Sequence, residues 1–189
     1  EAKHHHPPVL LVSANVANIH DDREQRFLLG RKVMALMSGH HLVQGKDAAG
    51  LAEFISAICK AVDKTFEPLM PGLNVDAQAK KVSSALSRGA KRQLQDPVST
   101  MDAQRSRLKF DEFLDGIPLT QNRAGLVAAN DMRAAVNVIQ STAGIVIPKV
   151  RDARLEAFEK SELLSDLVSY ALSDDYFAAR QTLRFAVDA

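Results

Sequence analysis

Apolar residues recur along most of this chain at the spacing of α-helices, with short polar breaks between the periodic stretches. Phe27, Met34 and Met37, with Gly30 among them, predict a helix over residues 22–38. A longer stripe at i, i+3, i+4 and i+7 predicts a second helix over residues 47–66, built on Leu51, Phe54, Ile55, Ile58, Cys59 and Val62. The pattern therefore indicates a core made of helices.

The same spacing predicts further helices over residues 75–94, 99–115, 119–129, 132–141, 161–172 and 174–187. Helix breaks are expected at Pro97 and at the Gly-Ile-Pro stretch 116–118, because proline lacks a backbone N–H and clashes with the preceding turn. One strand is predicted, over residues 8–13, PVLLVS. We predict an all-α multi-helix domain over residues 8–189 with this short N-terminal β-strand, preceded by a flexible lead over residues 1–7.

Composition excludes several classes of protein but selects no function. The chain has 189 residues, of which 46% are hydrophobic, and 24 Lys and Arg against 23 Asp and Glu. These values exclude a disordered tail, and the single cysteine, Cys59, excludes a disulfide-stapled miniprotein. Cys59 lies within an apolar helical stripe and is expected to be a buried, unreactive side chain.

The ends of the chain give expectations about its context. No uninterrupted apolar run is longer than five residues (33–37, VMALM), far short of the roughly 20 residues that span a bilayer, so we expect no membrane span and a cytoplasmic location. The chain begins at Glu1 without a methionine, and we expect it to be the C-terminal part of a longer protein.

Histidines and carboxylates do not form a recognisable catalytic or metal motif. The run His4–His6 lacks the spacing that places ligands around one ion, and His40 and His41 are adjacent, as in a solvated loop. Asp21 or Asp22 is expected to cap a helix. An enzyme that uses His20 with one of these carboxylates is an open alternative. The sequence has no Gly-rich phosphate loop and no G-x-S-x-G elbow.

A local excess of positive charge lies in the middle of the chain. Residues 80–109 carry two acids, Asp96 and Asp102, against eight cations, Lys80, Lys81, Arg88, Lys91, Arg92, Arg105, Arg107 and Lys109, which gives a net charge of +6. Nucleic acid is the less favoured ligand, because the only aromatic residue at this segment is Phe110, so no stacking platform is present. A solvated face or a docking surface for an acidic protein partner is the preferred interpretation, and nucleic-acid binding is the alternative.

Two blocks of the sequence together resemble a known family. The first covers residues 8–16 and 21–36, PVLLVSANV and DDREQRFLLGRKVMAL; the second covers residues 121–130, QNRAGLVAAN, and continues through residue 139. They are similar, in order and distance, to the zinc-dependent H-E-x-x-H peptidases of the CAAX-prenyl-protease and heat-shock membrane-protease type. In that family one helix carries L-G-H-E-x-x-H and a later helix carries E-x-x-x-D-R-x-G.

The resemblance places other residues at every position of the zinc site. Arg31 and Ala35 fall at the two histidine positions, Lys32 at the general-base glutamate, and Pro118 at the third ligand. The aspartate that precedes Arg123 in the family is Asn122 here. The resemblance therefore implies a metallopeptidase scaffold that has lost its metal ligands, with no catalysis, no metal and no cofactor.

The resemblance also implies a biological setting. Some large bacterial tetratricopeptide-repeat proteins end in similar helical domains, which match the stretches FLLGR (27–31), NRAGL (122–126) and LSDDYFAAR (172–180). We expect a non-catalytic scaffold or protein-interaction module, with an unidentified protein partner. Two residues have roles that do not depend on catalysis: Gly125 is expected to allow close helix packing, and Arg123 to form a bidentate ion pair with a buried carboxylate.

Overall fold

A computed structural model describes residues 2–3 and 9–184 of the chain. It confirms the all-α class and the N-terminal strand. Two short strands, β1 (Ala2–Lys3) and β2 (Val9–Leu10), pair antiparallel, and β1 was not predicted. The described residues form ten α-helices: α1 (Ala14–Ile19), α2 (Asp22–Met37), α3 (Ala48–Val62), α4 (Asp76–Ala85), α5 (Arg88–Ala103), α6 (Phe110–Ala129), α7 (Met132–Ala143), α8 (Arg151–Lys160), α9 (Glu162–Ala171) and α10 (Asp174–Thr182).

The contacts of the chain fall into two compact units. The first unit consists of Glu1–Gln44 with Gly116–Ala189, and the second is Gly45–Asp115. The boundary near residue 115 falls inside the continuous helix α6. The expected single domain over residues 8–189 stays a prediction, because a compact group of contacts is not the same thing as an independently folding domain.

Several predicted helix boundaries are wrong, and α1 and α8 were not predicted. The helix predicted over residues 75–94 is two helices, because Ser87 caps α5: its Oγ accepts a hydrogen bond from the Ala90 N–H at 3.1 Å. The predicted breaks at Pro97 and at residues 116–118 do not occur, since α5 continues through Pro97 and α6 through Pro118. Both prolines lie inside helices, each at the cost of one backbone N–H donor.

The core of the first unit lies between α2, the C-terminal half of α6, α7, α9 and α10. Its members are buried side chains that recur at helical spacing, namely Phe27, Leu126, Val127, Ala129, Ala135, Val138, Ile139, Leu164, Leu167 and Tyr176. Asp131 begins α7 as an N-cap, and its carboxylate accepts a hydrogen bond from the Ala134 N–H. Removing these side chains from water is the main force that holds the helices together.

The second unit is organised around α3, which packs on α4 and α5. Asp47 caps its start, and Leu51, Ala57 and Cys59 are buried on its inner face. The burial of Cys59 confirms the expectation from sequence. Phe66, after the end of α3, packs on Cys59 and on Val98 of α5. Among the described residues, no helix has the length and apolar character that crossing a membrane requires.

Candidate functional site

The helix that carries the first resembling block, α2, crosses α6 in very close contact. A Cβ atom on Gly30 would lie 2.8 Å from the Cβ of Ala128, and one on Gly125 would lie 2.8 Å from the carbonyl oxygen of Phe27. The helices run antiparallel, since Arg23 near the start of α2 donates a hydrogen bond to the carbonyl oxygen of Ala129 at the end of α6 (3.0 Å). The expected packing role of Gly125 is confirmed.

The four residues that the resemblance aligns with a zinc site lie on these two helices. Arg31 is half-buried, its Cγ lies against Gly125, and its guanidinium carbon is 5.8 Å from the centre of the Phe27 ring. Ala35, one turn further along α2, is buried, and Lys32 is half-buried. Pro118 lies two turns before Gly125 on α6 and is half-buried.

Arg31 and Lys32 are cations in a partly desolvated place. Burial lowers the pKa of Arg31 below its ordinary value, and burial together with the neighbouring Arg31 charge lowers the pKa of Lys32. Neither side chain forms an ion pair with any described residue. A divalent cation would be repelled here, whereas a negatively charged group would relieve both the repulsion and the desolvation.

Asn122 is a buried polar residue of α6, one turn before Gly125. It is 1% exposed, and neither its Oδ1 nor its Nδ2 has a hydrogen-bond partner among the described residues. The Nε atom of Arg31 is likewise buried without a partner. Unpaired buried amides cost free energy, so Asn122 is a point of local instability in the core.

Arg123, the neighbour of Asn122, points away from that core face and holds α9. Its Nε donates to Oδ2 of Asp166 at 3.0 Å, its Nη2 donates to Oδ1, and its guanidinium carbon lies 5.4 Å from the centre of the Tyr170 ring. The Asp166 side chain is 12% exposed. The hydrogen bonds to Asp166 raise the pKa of Arg123. The expected bidentate pair with a largely buried carboxylate is confirmed.

The outer face of α2 carries exposed apolar side chains. Met37, whose spacing helped to predict this helix, is 82% exposed. Together with Leu29 and Val33 it forms an exposed apolar row at i, i+4 and i+8, which we call the α2 stripe. Arg26, also exposed, precedes the row by one turn, and Lys32 lies beside it. Periodicity alone could not find this surface, because α2 carries apolar residues on both faces.

The eight basic residues of segment 80–109 do not act as one group. Arg105 is structural: it donates to the carbonyl oxygens of Pro68 and Glu67 (both 2.8 Å), pairs with Asp102 and lies over the Phe66 ring. The Nζ of Lys91 donates to Ser83 Oγ at 2.7 Å, and Lys109 pairs with Glu112. The remaining five are exposed and form no ion pair with a described residue: Lys80, Lys81, Arg88, Arg92 and Arg107.

His20 has a different partner from the carboxylates suggested by sequence. Its Nδ1 lies 2.8 Å from Oε2 of Glu24, one turn along the chain. Asp21 caps α2 by accepting a hydrogen bond from the Glu24 N–H, as expected.

His40 and His41 also differ from expectation in part. His40 and His41 lie half-buried in a 3-10 turn, not in a solvated loop. On α10, Tyr176 is buried, whereas the next residue, Phe177, is 56% exposed. The run His4–His6 lies outside the described residues. Within the described ranges, no three His, Cys, Asp or Glu side chains are grouped so as to hold a metal ion.

Comparison with known proteins adds no relative. No protein-family model, no curated protein and no solved structure matches this chain.

Proposed function

We propose that this chain is a non-catalytic protein-interaction domain, built on a helical scaffold derived from the zinc metallopeptidases that its sequence resembles. The observation that carries the proposal is the α2 stripe, an exposed row of Leu29, Val33 and Met37 on a helix whose opposite face is fixed in the core. The partner is a protein surface that is apolar at its centre and acidic at its edge.

The α2 stripe has the physical character of a docking surface. A row of large apolar side chains exposed on one helix leaves a continuous apolar surface in water, and such rows are used to bind partner helices or grooves. The close crossing at Gly30 and Gly125 supports α2 from behind, so a partner would meet a preformed surface.

The charges beside the stripe select the partner. Arg26 and Lys32 form no ion pair with a described residue, and burial already lowers the pKa of Lys32. Acidic side chains at the rim of a partner would therefore meet one unpaired cation before the apolar row and one beside it.

Two variants test the stripe. Val33→Asp places a carboxylate in the middle of the row, and Leu172→Asp is the matched control, because Leu172 is 80% exposed on another part of the first unit. A protein captured with wild-type chain is purified, and its affinity for the three chains is measured by calorimetry. We expect a loss of at least tenfold for Val33→Asp alone. Equal affinity for Val33→Asp and wild type contradicts the proposal.

The absence of catalysis is tested separately. The purified chain is incubated with zinc, desalted and assayed for bound metal and for chelator-sensitive cleavage of an unfolded protein. We expect neither, because Arg31 and Lys32 carry positive charge where the family has a histidine ligand and the general-base glutamate. Stoichiometric zinc together with cleavage would contradict a non-catalytic domain.

The five exposed cations of segment 80–109 support a second candidate function, the binding of nucleic acid or an acidic protein through the second unit. Arg88 and Arg92 lie one turn apart on α5 and are solvent-exposed. If phosphate contacts drive the binding, affinity falls steeply with salt, and Arg88→Glu with Arg92→Glu removes it. A flat salt response in a titration with a DNA or RNA oligonucleotide contradicts the nucleic-acid form of this candidate.

A further inference from the structure

A groove runs along the outer face of α7, between this helix, the loop over residues 144–150 and α8. It has a volume of about 500 Å³, which is within the range of ligand-binding clefts. The helix α7 explains how it forms: Ala134, Ala135, Val138 and Ile139 are buried in the core, so the residues on the other side of the helix face the groove.

The floor of the groove is apolar. It is lined by half-buried side chains from all three segments, Met132 and Val136 of α7, Ile147 of the loop and Phe158 of α8. These residues also pack against the core cluster of the first unit, so the floor is fixed by the fold. The neighbouring Val146 and Val150 are 84% and 69% exposed and extend the apolar surface beyond the groove.

The rim of the groove is positively charged. Arg133, Lys149 and Arg154 line it, and no Asp or Glu is among its described lining residues. None of the three forms an ion pair with a described residue. Arg154 instead donates to the carbonyl oxygens of Pro148 (3.3 Å) and Lys149 (2.8 Å) and thereby holds the loop against α8.

The groove also offers a polar group suited to a peptide backbone. The side-chain amide of Gln140, which can both donate and accept, lines the groove and has no hydrogen-bond partner among the described residues. The neighbouring Asn137 is partly used, since its Nδ2 donates to Oε1 of Glu24 at 3.0 Å.

We propose that this groove, the α7 groove, binds a peptide segment that carries acidic side chains next to apolar ones. The apolar floor takes the apolar side chains, the three rim cations pair with the carboxylates, and the Gln140 amide meets the peptide backbone. The site is separate from the α2 stripe, so it stands or falls independently of the proposed function above.

The experiment begins with selection of peptides from a random 12-residue display library on the intact chain. We expect enriched sequences that contain Asp or Glu beside two or more apolar residues, and synthetic peptides of these sequences to bind in fluorescence anisotropy. Enrichment of basic or neutral sequences, or of no consensus at all, would overturn the proposal.

Charge exchange then tests whether the peptide binds in the α7 groove. The double variant Arg133→Glu with Lys149→Glu changes two exposed rim residues and should weaken the acidic peptide at least tenfold. The same peptide with Lys in place of its acids should bind this variant better than it binds wild type. Lys64→Glu, a charge reversal at an exposed lysine of the second unit, is the matched control and should leave the affinity unchanged.

Two further results bear on the proposal. An acidic peptide that binds the rim double variant as well as wild type would overturn it. Sedimentation of wild type, but not of the rim double variant, with phosphatidylglycerol vesicles, combined with no peptide binding, would assign the groove to lipid surfaces and would overturn it equally. Circular dichroism of each variant establishes that the helices are intact.

Discussion

Gly30 of α2 lies so close to Gly125 of α6 that a Cβ atom on Gly30 would stand 3.0 Å from the Gly125 Cα atom. The reciprocal Cβ on Gly125 would meet the Phe27 carbonyl oxygen at 2.8 Å and the Arg31 Cγ at 2.9 Å. Contacts shorter than about 3 Å with backbone atoms cannot be relieved by turning a side chain. The crossing of these two helices therefore requires glycine at both positions.

The first prediction concerns Gly125→Ala. We expect the free energy of unfolding to fall by about 1–3 kcal/mol, because the new methyl group forces the helices apart. Gly116→Ala is the control in the same helix: nothing lies within 4 Å of its added Cβ, so alanine should raise stability by about 0.5–1 kcal/mol. Urea denaturation measures both. Equal effects of the two substitutions would contradict the close crossing.

The second prediction concerns the unpaired amide of Asn122. Leucine has the same branched shape without polar atoms, so Asn122→Leu should raise the free energy of unfolding by about 1–2 kcal/mol. Asn137→Leu serves as the comparison, since it removes an existing hydrogen bond to Glu24 and should lower stability by about 1 kcal/mol. A loss of stability on Asn122→Leu would mean that the amide is bonded in solution, for example to a buried water.

The third prediction concerns the pair Arg123–Asp166. Arg123→Ala should cost about 1–3 kcal/mol, and Arg123→Lys should recover only part of this, because an ammonium group cannot reproduce two parallel hydrogen bonds. A double-mutant cycle with Asp166→Asn, measured by thermal or urea unfolding, gives the coupling energy. A coupling near zero would show that the pair, though bidentate, contributes nothing to holding α9.

The fourth prediction concerns the pH dependence of stability. Burial raises the pKa of the Cys59 thiol from 9.0 to about 11. The unfolded chain therefore loses this proton at lower pH than the folded chain. The associated stability is fully present below pH 9 and is lost as pH rises towards 11, by about 2 kcal/mol.

Comparison with Cys59→Ala isolates this effect. Between pH 8 and pH 10.5 the free energy of unfolding, measured by urea denaturation, should fall less for the variant than for wild type, because the variant has no thiol at position 59. Other titrating groups, such as Tyr170, act equally in both proteins and cancel in the comparison. Parallel loss of stability in the two proteins would show that Cys59 titrates alike in the folded and unfolded chain. The same burial should make the folded thiol react slowly with iodoacetamide at pH 8.

Helix starts were predictable where one side chain decides them. Asp21, Asp47 and Asp131 each accept a hydrogen bond from a backbone N–H in the first turn that follows, and each was placed at or next to a helix start from sequence. A cap is a local interaction, so its signal is present in the sequence itself. Ser87 gave the same signal, but the apolar spacing continued across it and concealed the break between α4 and α5.

The errors arise where packing outweighs local preference. Pro97 and Pro118 were expected to end helices, yet α5 and α6 pass through them. The helix α8 was missed because Arg151–Lys160 has no apolar stripe and no buried residue, so the hydrophobic period that predicts helices is absent from it.

The candidate sites were predictable only in part. The alignment of Arg31, Lys32, Ala35 and Pro118 with the positions of a zinc site comes from the order of residues alone, and it stays a prediction. The α2 stripe could not be predicted from the sequence, since only the tertiary packing decides which apolar face of a helix is buried against other helices. The α7 groove was beyond reach for another reason: its floor combines residues from α7, a loop and α8, whose proximity depends on the tertiary fold.

Asn130, in the turn between α6 and α7, illustrates how two requirements can fall on one residue. Its backbone has a φ of +50°, and its side-chain oxygen accepts a hydrogen bond from the Tyr176 hydroxyl at 3.0 Å. Glycine at position 130 would suit the backbone but would remove the acceptor of the Tyr176 hydrogen bond. Glutamine would keep an amide oxygen, but its backbone would be strained at this φ. In a library of all single substitutions, position 130 should thus accept almost nothing in an otherwise native chain, yet should accept glycine readily once Tyr176 is phenylalanine.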